Sequence, residues 1–460
     1  MENVRCGLNG TKPAPAFFNH FDVSPKRWPA VWQWISRARR NAIAIFPHEV
    51  YRRLRVDHRI LGQRLVVLSD PQSIRHICGH AARKYRLSNL HLRLLRPALG
   101  AGLIVAEGKS WVLQRRLAMR LTHARTTAEQ TALSYTRIDA MLNDWLDRAA
   151  DPSFLLDPLQ DLLALSLDLI AIHTFSYAGA VASEEILQAI SAHRTTIERF
   201  DLLDVTGISP AMPSPKMGRA YSIAHSLDTS IKSMIDGAMP GHRTALDACG
   251  FEVSRDFVVS MMAGFESTTL NTLWLLGLLA EREDLIETIL NERLSLEEPS
   301  TSVLGKCVLE TLRLYPPLPL IYRTAADDDD TPTGPIRKGT LICMSPWIVH
   351  RHDTFWDQPA EFNWRRFDGV KKLPEGYMPF GVGERQCVGM RMGRQLVETI
   401  VRRIVERCIF RLVDERLPPP RAGVSLRPQT SMKFIVTPRS PGFSKRLPAL
   451  QSTGAAACPR

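Results

Sequence analysis

Along most of the chain apolar residues recur every three or four positions, the spacing of helices that bury one face. This periodicity predicts a basic helical stretch over 28–55 and a basic amphipathic helix over 108–122. Longer helices are predicted over 127–148, 155–174, 183–199 and 219–238. Others follow over 257–280, just after Glu281, over 304–314 and over 388–409. Pro316 and Pro317 end the third of these, because proline has no N–H to donate and crowds the preceding turn. The Pro-rich run 208–218 is predicted as a loop, placed to act as a lid. Strands are few and short: 64–70 stops at Pro71, where a helix should begin, and 339–345 lies late in the chain. A loop rich in Trp, Phe and Pro fills 355–379. Residues 1–25 and 441–460 carry no such pattern and are expected to be flexible, which leaves 26–440 as one helix-dominated unit with no repeat and no linker.

A formal charge of +12 makes nucleic acid the first partner to consider. Lys and Arg are spread over the whole chain, however, without zinc-finger spacing or an RNA-recognition motif, so no nucleic acid is expected. Eight cysteines at irregular intervals, none in a CxxC pair, argue against a disulfide framework and a zinc site and fit a reducing compartment. The N-terminus has no basic segment leading into an apolar core, and no run of 18 apolar residues occurs anywhere. The expectation is a cytoplasmic protein, bacterial in character, with no transmembrane anchor.

The densest chemical signal is Phe380-Gly-Val-Gly-Glu-Arg-Gln-Cys-Val-Gly389. A cysteine that ligates iron must be a thiolate, and Cys387 stands just before a predicted helix, whose first N–H groups favour a negative charge. Gly383 and Gly389 would let the backbone approach a flat ring. Phe380 would pack beside the sulfur, and the Arg385 guanidinium fork suits a carboxylate. This loop resembles the haem-binding loop of the cytochromes P450, with Phe380, Gly383, Arg385, Cys387 and Gly389 at that family's spacing. Gly381 lies in the same cofactor-binding stretch.

Other segments extend the resemblance over about 50–440. Glu310-Thr-Leu-Arg313, before Leu-Tyr-Pro-Pro, resembles the family's ExxR helix, and Arg366 in the aromatic loop matches its third member, so Glu310, Arg313 and Arg366 are implied to be structural supports. Where the family often has Pro-Glu, this chain has Trp364-Arg365. Ala263-Gly-Phe-Glu-Ser-Thr-Thr269 resembles the oxygen-binding segment, with Ala263 and Gly264 beside the cofactor and Glu266, Ser267 and Thr268 as catalytic candidates that pass protons. Ser267 stands where many members have Thr, and either it or Thr268 would be the relay alcohol. Trp111 and Arg115 form a WxxxR pattern on one helix face and, with Arg323 and Arg385, are implied to hold the haem carboxylates.

The resemblance implies a mainly α fold with small β-sheets, a single large triangular α-rich domain. It implies haem b with Cys387 as axial metal ligand, and a monooxygenase that activates O2 with two electrons. No flavin or ferredoxin domain follows Cys387, so a separate donor is expected: ferredoxin with its reductase, or flavodoxin. Arg115, Arg116, Arg120, Arg391 and Arg394 would form its docking patch. The substrate would be small and hydrophobic, a terpenoid such as a gibberellin-like diterpenoid or a fatty acid, held by Phe265, Leu318, Ile321 and Met432. The alternatives are a peroxide-dependent peroxygenase or isomerase, and a non-enzymatic haem sensor.

Overall fold

The computed structural model describes residues 23–179, 181, 184–197, 212, 215–225, 228–236, 251–292, 302–414 and 416–439. The expected flexible ends lie largely outside these residues, as does most of the Pro-rich run.

The N-terminal part holds α1 (Val31–Arg40), α2 (Pro71–Arg75), α3 (Asn89–Leu99), α4 (Gly108–His123), α5 (Ala128–Arg148), α6 (Leu159–Phe175) and α7 (Glu184–Ile197). The expected helix over 28–55 reaches only Arg40; two 3-10 turns, Ala42–Ile45 and His48–Tyr51, follow it. Local chemistry sets several of the boundaries. The Asp70 carboxylate caps α2, which has Pro71 in its first turn. Thr127 and Gln130 form a reciprocal capping box at the start of α5.

Next come α8 (Pro215–His225), α9 (Asp228–Asp236), α10 (Phe251–Met262), α11 (Gly264–Leu279), α12 (Glu283–Asn291) and α13 (Val303–Leu314), then the short α14 (Pro346–Val349) and α15 (Met390–Arg407). Two expectations are corrected here. Helix α8 begins at Pro215, inside the stretch expected to be loop, because proline fits a helix's first position. The single helix expected over 257–280 is two, interrupted at Ala263. Beside the break, the Ser267 and Thr268 hydroxyls both donate to the Gly264 carbonyl, at 2.9 and 3.2 Å. Side chains that compete for a helical carbonyl loosen the ladder there.

Every residue from Thr268 to Ala280 is buried, as expected for a helix that is apolar all round. Helix α11 packs against α6, α13 and α15 and forms the centre of the core. Among the described residues no helix is long and apolar enough to cross a membrane.

The main sheet has five strands in the order β1 (Arg55–Ile60), β2 (Gln63–Leu68), β7 (Leu341–Met344), β4 (Ile321–Ala325) and β3 (Tyr85–Leu87). Leu61 and Gly62 join β1 to β2 with φ of 51° and 83°, as a two-residue hairpin turn demands. Strand β4 sets Arg323 opposite Leu87 on β3 and Ile342 on β7. Two-stranded pairs are formed by β5 (Asp329–Thr331) with β6 (Gly334–Ile336), β8 (Cys408–Leu412) with β11 (Phe434–Pro438), and β9 (Pro420–Ala422) with β10 (Leu426–Pro428).

Candidate functional site

The loop before α15 is closed on itself by backbone bonds. Cys387 N–H donates to the Phe380 carbonyl at 2.9 Å, Gly381 N–H to Met378 at 3.0 Å, and Gln386 N–H to Gly383 at 3.1 Å. Gly381 and Gly383 have φ of 68° and 73°, which only glycine adopts without strain. A Cβ on Gly383 would stand 2.0 Å from the Cys78 carbonyl oxygen. The approach this glycine allows is therefore to the turn at His76–His80, a correction to the expectation of a ring. A Cβ on Gly389 would meet the Cys387 sulfur at 4.0 Å, ordinary contact.

Cys387 is accessible to solvent although protein crowds its thiol, as expected of a residue that lines a hollow. Burial pushes its thiol above the ordinary range, opposed by a hydrogen bond from the Gly389 backbone and by the charge of Arg115. Helix α4 fastens the same loop: Arg115 Nη1 donates to the Gln386 carbonyl at 2.9 Å and the Thr122 hydroxyl to Val388 at 3.1 Å.

Cations gather beside this hollow. The Arg385 and Arg115 guanidiniums lie 4.9 and 5.6 Å from the Trp111 ring, and Arg385 Nη2 donates to the Ala106 carbonyl at 2.7 Å. Arg323 Nη1 donates to the Tyr322 carbonyl at 2.9 Å. Burial lowers the pKa of Arg323, and burial with the charge of Arg323 brings Arg385 down to about 10, while Glu107 opposes both shifts. Among the described residues none of Arg115, Arg323 and Arg385 has a carboxylate within ion-pairing distance. Partly buried cations gathered without a counter-anion are costly, and a dianion would offset that cost. The sulfur, the hollow and these cations fit a haem.

Above them, α11 separates the acid from the alcohols. Ser267 is exposed, whereas Thr268 is buried. The Glu266 carboxylate accepts from Arg427 Nε at 2.9 Å, from Arg427 Nη2 and from the Ser425 hydroxyl, all on the β9–β10 hairpin. In this structure the acid of the expected acid–alcohol pair is held by the β9–β10 hairpin. The break at Ala263 sits beside it, and a Cβ on Gly264 would meet Ile170 of α6 at 3.4 Å.

Of the expected substrate residues, Ile321 comes within 3.9 Å of the Cβ position of Gly381, and Leu318 is exposed. Phe265 is buried in the core. Met432 is corrected: it packs against Gly277, about 20 Å along α11 from Gly264 at the ordinary helical rise.

The support under the hollow is a buried ionic knot. Glu310 and Arg313 on α13 have side chains fully shielded from solvent. Arg313 donates to Glu310 Oε2 and Oε1 at 2.7 and 2.8 Å and to the carbonyls of His350, Pro359 and Glu361. Those bonds use all five of its donors. Arg366 Nε and the Asn363 N–H reach Glu310 Oε1 at 3.2 and 2.9 Å.

Sequence reasoning missed Arg427, Ser425, Cys78 and Thr122, which act across long stretches of chain that no local pattern links.

The cytochrome P450 family model matches residues 23–258 and 251–436. The chain is 27% identical to cytochrome P450 714A2 of Arabidopsis thaliana, with 84% of this chain and 82% of that protein covered. It is 24% identical to a human ultra-long-chain fatty acid omega-hydroxylase, with 82% and 80% covered. The fold matches a crystal structure of a cytochrome P450DA mutant heme domain with TM-score 0.70 at 19% identity, covering 86% of this chain and 92% of that one.

Proposed function

The chain belongs to the cytochrome P450 family of haem-thiolate monooxygenases, and from that premise we propose that Cys387 ligates the haem iron and that the enzyme oxidises a small apolar substrate, a terpenoid or a fatty acid. The observation carrying this reading is a solvent-accessible cysteine in a loop closed by backbone bonds, beside half-buried guanidiniums without carboxylates. Likeness to the human fatty acid omega-hydroxylase supports the fatty-acid class. The unit is proposed to span 26–440. Titration with diterpenoid acids and long-chain fatty acids, followed by the Soret shift when water leaves the iron, tests the substrate. A shift with neither class, but with another compound type, would overturn that assignment.

When bound, haem would supply the oxygen-activating chemistry, with two electrons taken from a donor protein. The chain's part is positioning. Trp111, Arg115, Arg323 and Arg385 would hold the haem carboxylates, and the Gly389 N–H would temper the sulfur. Ser267 presents the exposed hydroxyl and is the proposed proton donor; the buried Thr268 is not. Glu266 would serve it only after leaving Arg427. Ser267→Ala should therefore lower product formation about 10²-fold, the lower end of general-acid effects, with reductant still consumed and haem content unchanged. Thr268→Ala should leave product formation close to wild type. The opposite order, measured as product per reductant, would transfer the role to Thr268.

An acidic ferredoxin or flavodoxin is the proposed electron donor. Of the expected patch, Arg116, Arg120 and Arg391 are exposed, beside exposed Val112, Leu113 and Met119. Arg115 binds the cysteine loop, and Arg394 is turned inward, where its charge acts on Glu398; neither belongs to the patch. Charge reversal at both Arg116 and Arg391 should slow reduction at low salt by roughly tenfold and flatten its salt dependence. Stopped-flow reduction rates equal to wild type would remove the docking site. The engagement of Glu266 favours one second reading, peroxide-driven oxidation; faster product formation from peroxide than from donor proteins would establish it.

A further inference from the structure

The ion pair between the first turn of α11 and the β9–β10 hairpin is left open on one side. Arg427 Nε and Nη2 and the Ser425 hydroxyl all converge on a single oxygen, Glu266 Oε1. Glu266 Oε2 and Arg427 Nη1 have no partner among the described residues, and neither atom is sealed from solvent. The Arg427 and Glu266 side chains are 11% and 24% exposed. A pair built for support looks different in this molecule: Arg313 takes both Glu310 oxygens, spends all its donors and is fully shielded. The hairpin itself is held along α11, where the Trp274 indole donates to the Leu426 carbonyl at 3.2 Å. On its other side Leu426 N–H donates to the Pro317 carbonyl at 3.0 Å. Exposed Leu318 follows Pro317, and Ile321 beyond it reaches the Gly381 position in the cysteine loop. Ser267, the neighbour of Glu266 in sequence, is exposed.

We propose that Arg427 is the receptor for a carboxylate on the substrate, which displaces Glu266 from the guanidinium and so releases it to the Ser267 hydroxyl. The proposal deepens the reading of this hollow as an oxidation site and rests on it. The guanidinium fork matches two carboxylate oxygens, whereas Glu266 gives it only one. Nη1, with its donors unspent, is where the incoming group docks first. One carboxylate then replaces another at a shielded cation, so Arg427 is never left unpaired, and the freed Glu266 starts from a position that water already reaches. A substrate without an acid group leaves the pair closed, which ties proton delivery to substrate identity. Leu318 and Ile321, on the segment to which the hairpin is bonded, suit the apolar remainder of a fatty or diterpenoid acid.

The test compares lauric acid with methyl laurate, and abietic acid with methyl abietate, on the purified holoenzyme. Dissociation constants come from calorimetric titration and from the Soret shift, neither of which needs turnover. In whichever pair binds, the acid should bind about tenfold tighter than its ester, the lower end for one hydrogen bond to a charged group. Arg427→Gln should erase that ratio with the ester little changed, and Arg427→Lys should keep part of it. Glu266→Gln should act in the opposite direction and tighten acid binding by roughly another tenfold, because a neutral amide competes less for the guanidinium. A pair that only braced the hairpin would weaken acid and ester together in both variants. Equal affinities in the wild type, a ratio that survives Arg427→Gln, or acid binding not tightened by Glu266→Gln each overturns the proposal. If Arg427→Gln fails to fold, the Arg427→Lys and Glu266→Gln arms decide it. Failure of both acids to bind, with another apolar compound binding, also sinks the carboxylate receptor and leaves the oxidation site standing. A protein that forms no thiolate-ligated haem fails at that earlier reading instead.

Discussion

Arg313→Ala is expected to destabilise the protein by about 3–5 kcal/mol, the usual cost of removing one partner from a buried ion pair, and to yield protein depleted of haem. The substitution leaves the Glu310 carboxyl shielded from water, with Arg366 and the Asn363 N–H as its remaining hydrogen-bond partners among the described residues. It also strips the carbonyls of His350, Pro359 and Glu361 of the donor that draws the aromatic loop onto α13. Arg313→Lys should rescue little, because an ammonium cannot reproduce a planar five-donor fork. Arg366→Ala should cost less, since Arg366 makes fewer of these bonds and is partly solvated. Urea unfolding midpoints and haem-to-protein absorbance ratios check the order. An alanine variant that keeps wild-type stability and full haem content would show that the knot is not a support.

The second large effect is on chemistry. Cys387→Ser should abolish the red-shifted Soret absorption of the reduced, carbon-monoxide-treated protein and bring oxygenation down to background. A serine hydroxyl is a far poorer anion than a thiol and gives iron neither the softness nor the electron push of sulfur. The loop itself should survive, because its closing bonds are backbone bonds that the substitution leaves in place. Full oxygenation by the serine variant would be fatal to the assignment.

The parts of this molecule legible in the sequence are those whose partners lie close along the chain or follow a family spacing. Glu310 and Arg313 share a helix face at a separation of three, and the resemblance supplied Arg366, 56 residues on. The helices were legible from periodicity, with ends fixed by residues such as Thr127 and Asp70. What escaped depends on contacts between distant segments. Glu266 meets Arg427 across 161 positions, and nothing local to either residue announces it. Ser267 and Thr268 are neighbours of equal chemistry, and only packing distinguishes the exposed one. The break at Ala263 lies in a mostly apolar stretch whose pattern runs on across it, so periodicity does not mark it. Met432 looked like a pocket residue by position alone, and packing placed it in the core.

The contact of Gly383 with the Cys78 carbonyl joins the cysteine loop to a turn some three hundred residues earlier. That turn is itself moored by His76, whose Nε2 lies 2.8 Å from Asp329 on β5. The sulfur-bearing segment, the turn and the β5–β6 pair should thus behave as one cooperative opening unit in native-state hydrogen exchange. Weakening the Asp329 mooring would then loosen Cys387 from afar, and the accessibility of its sulfur would report on strands that never touch it.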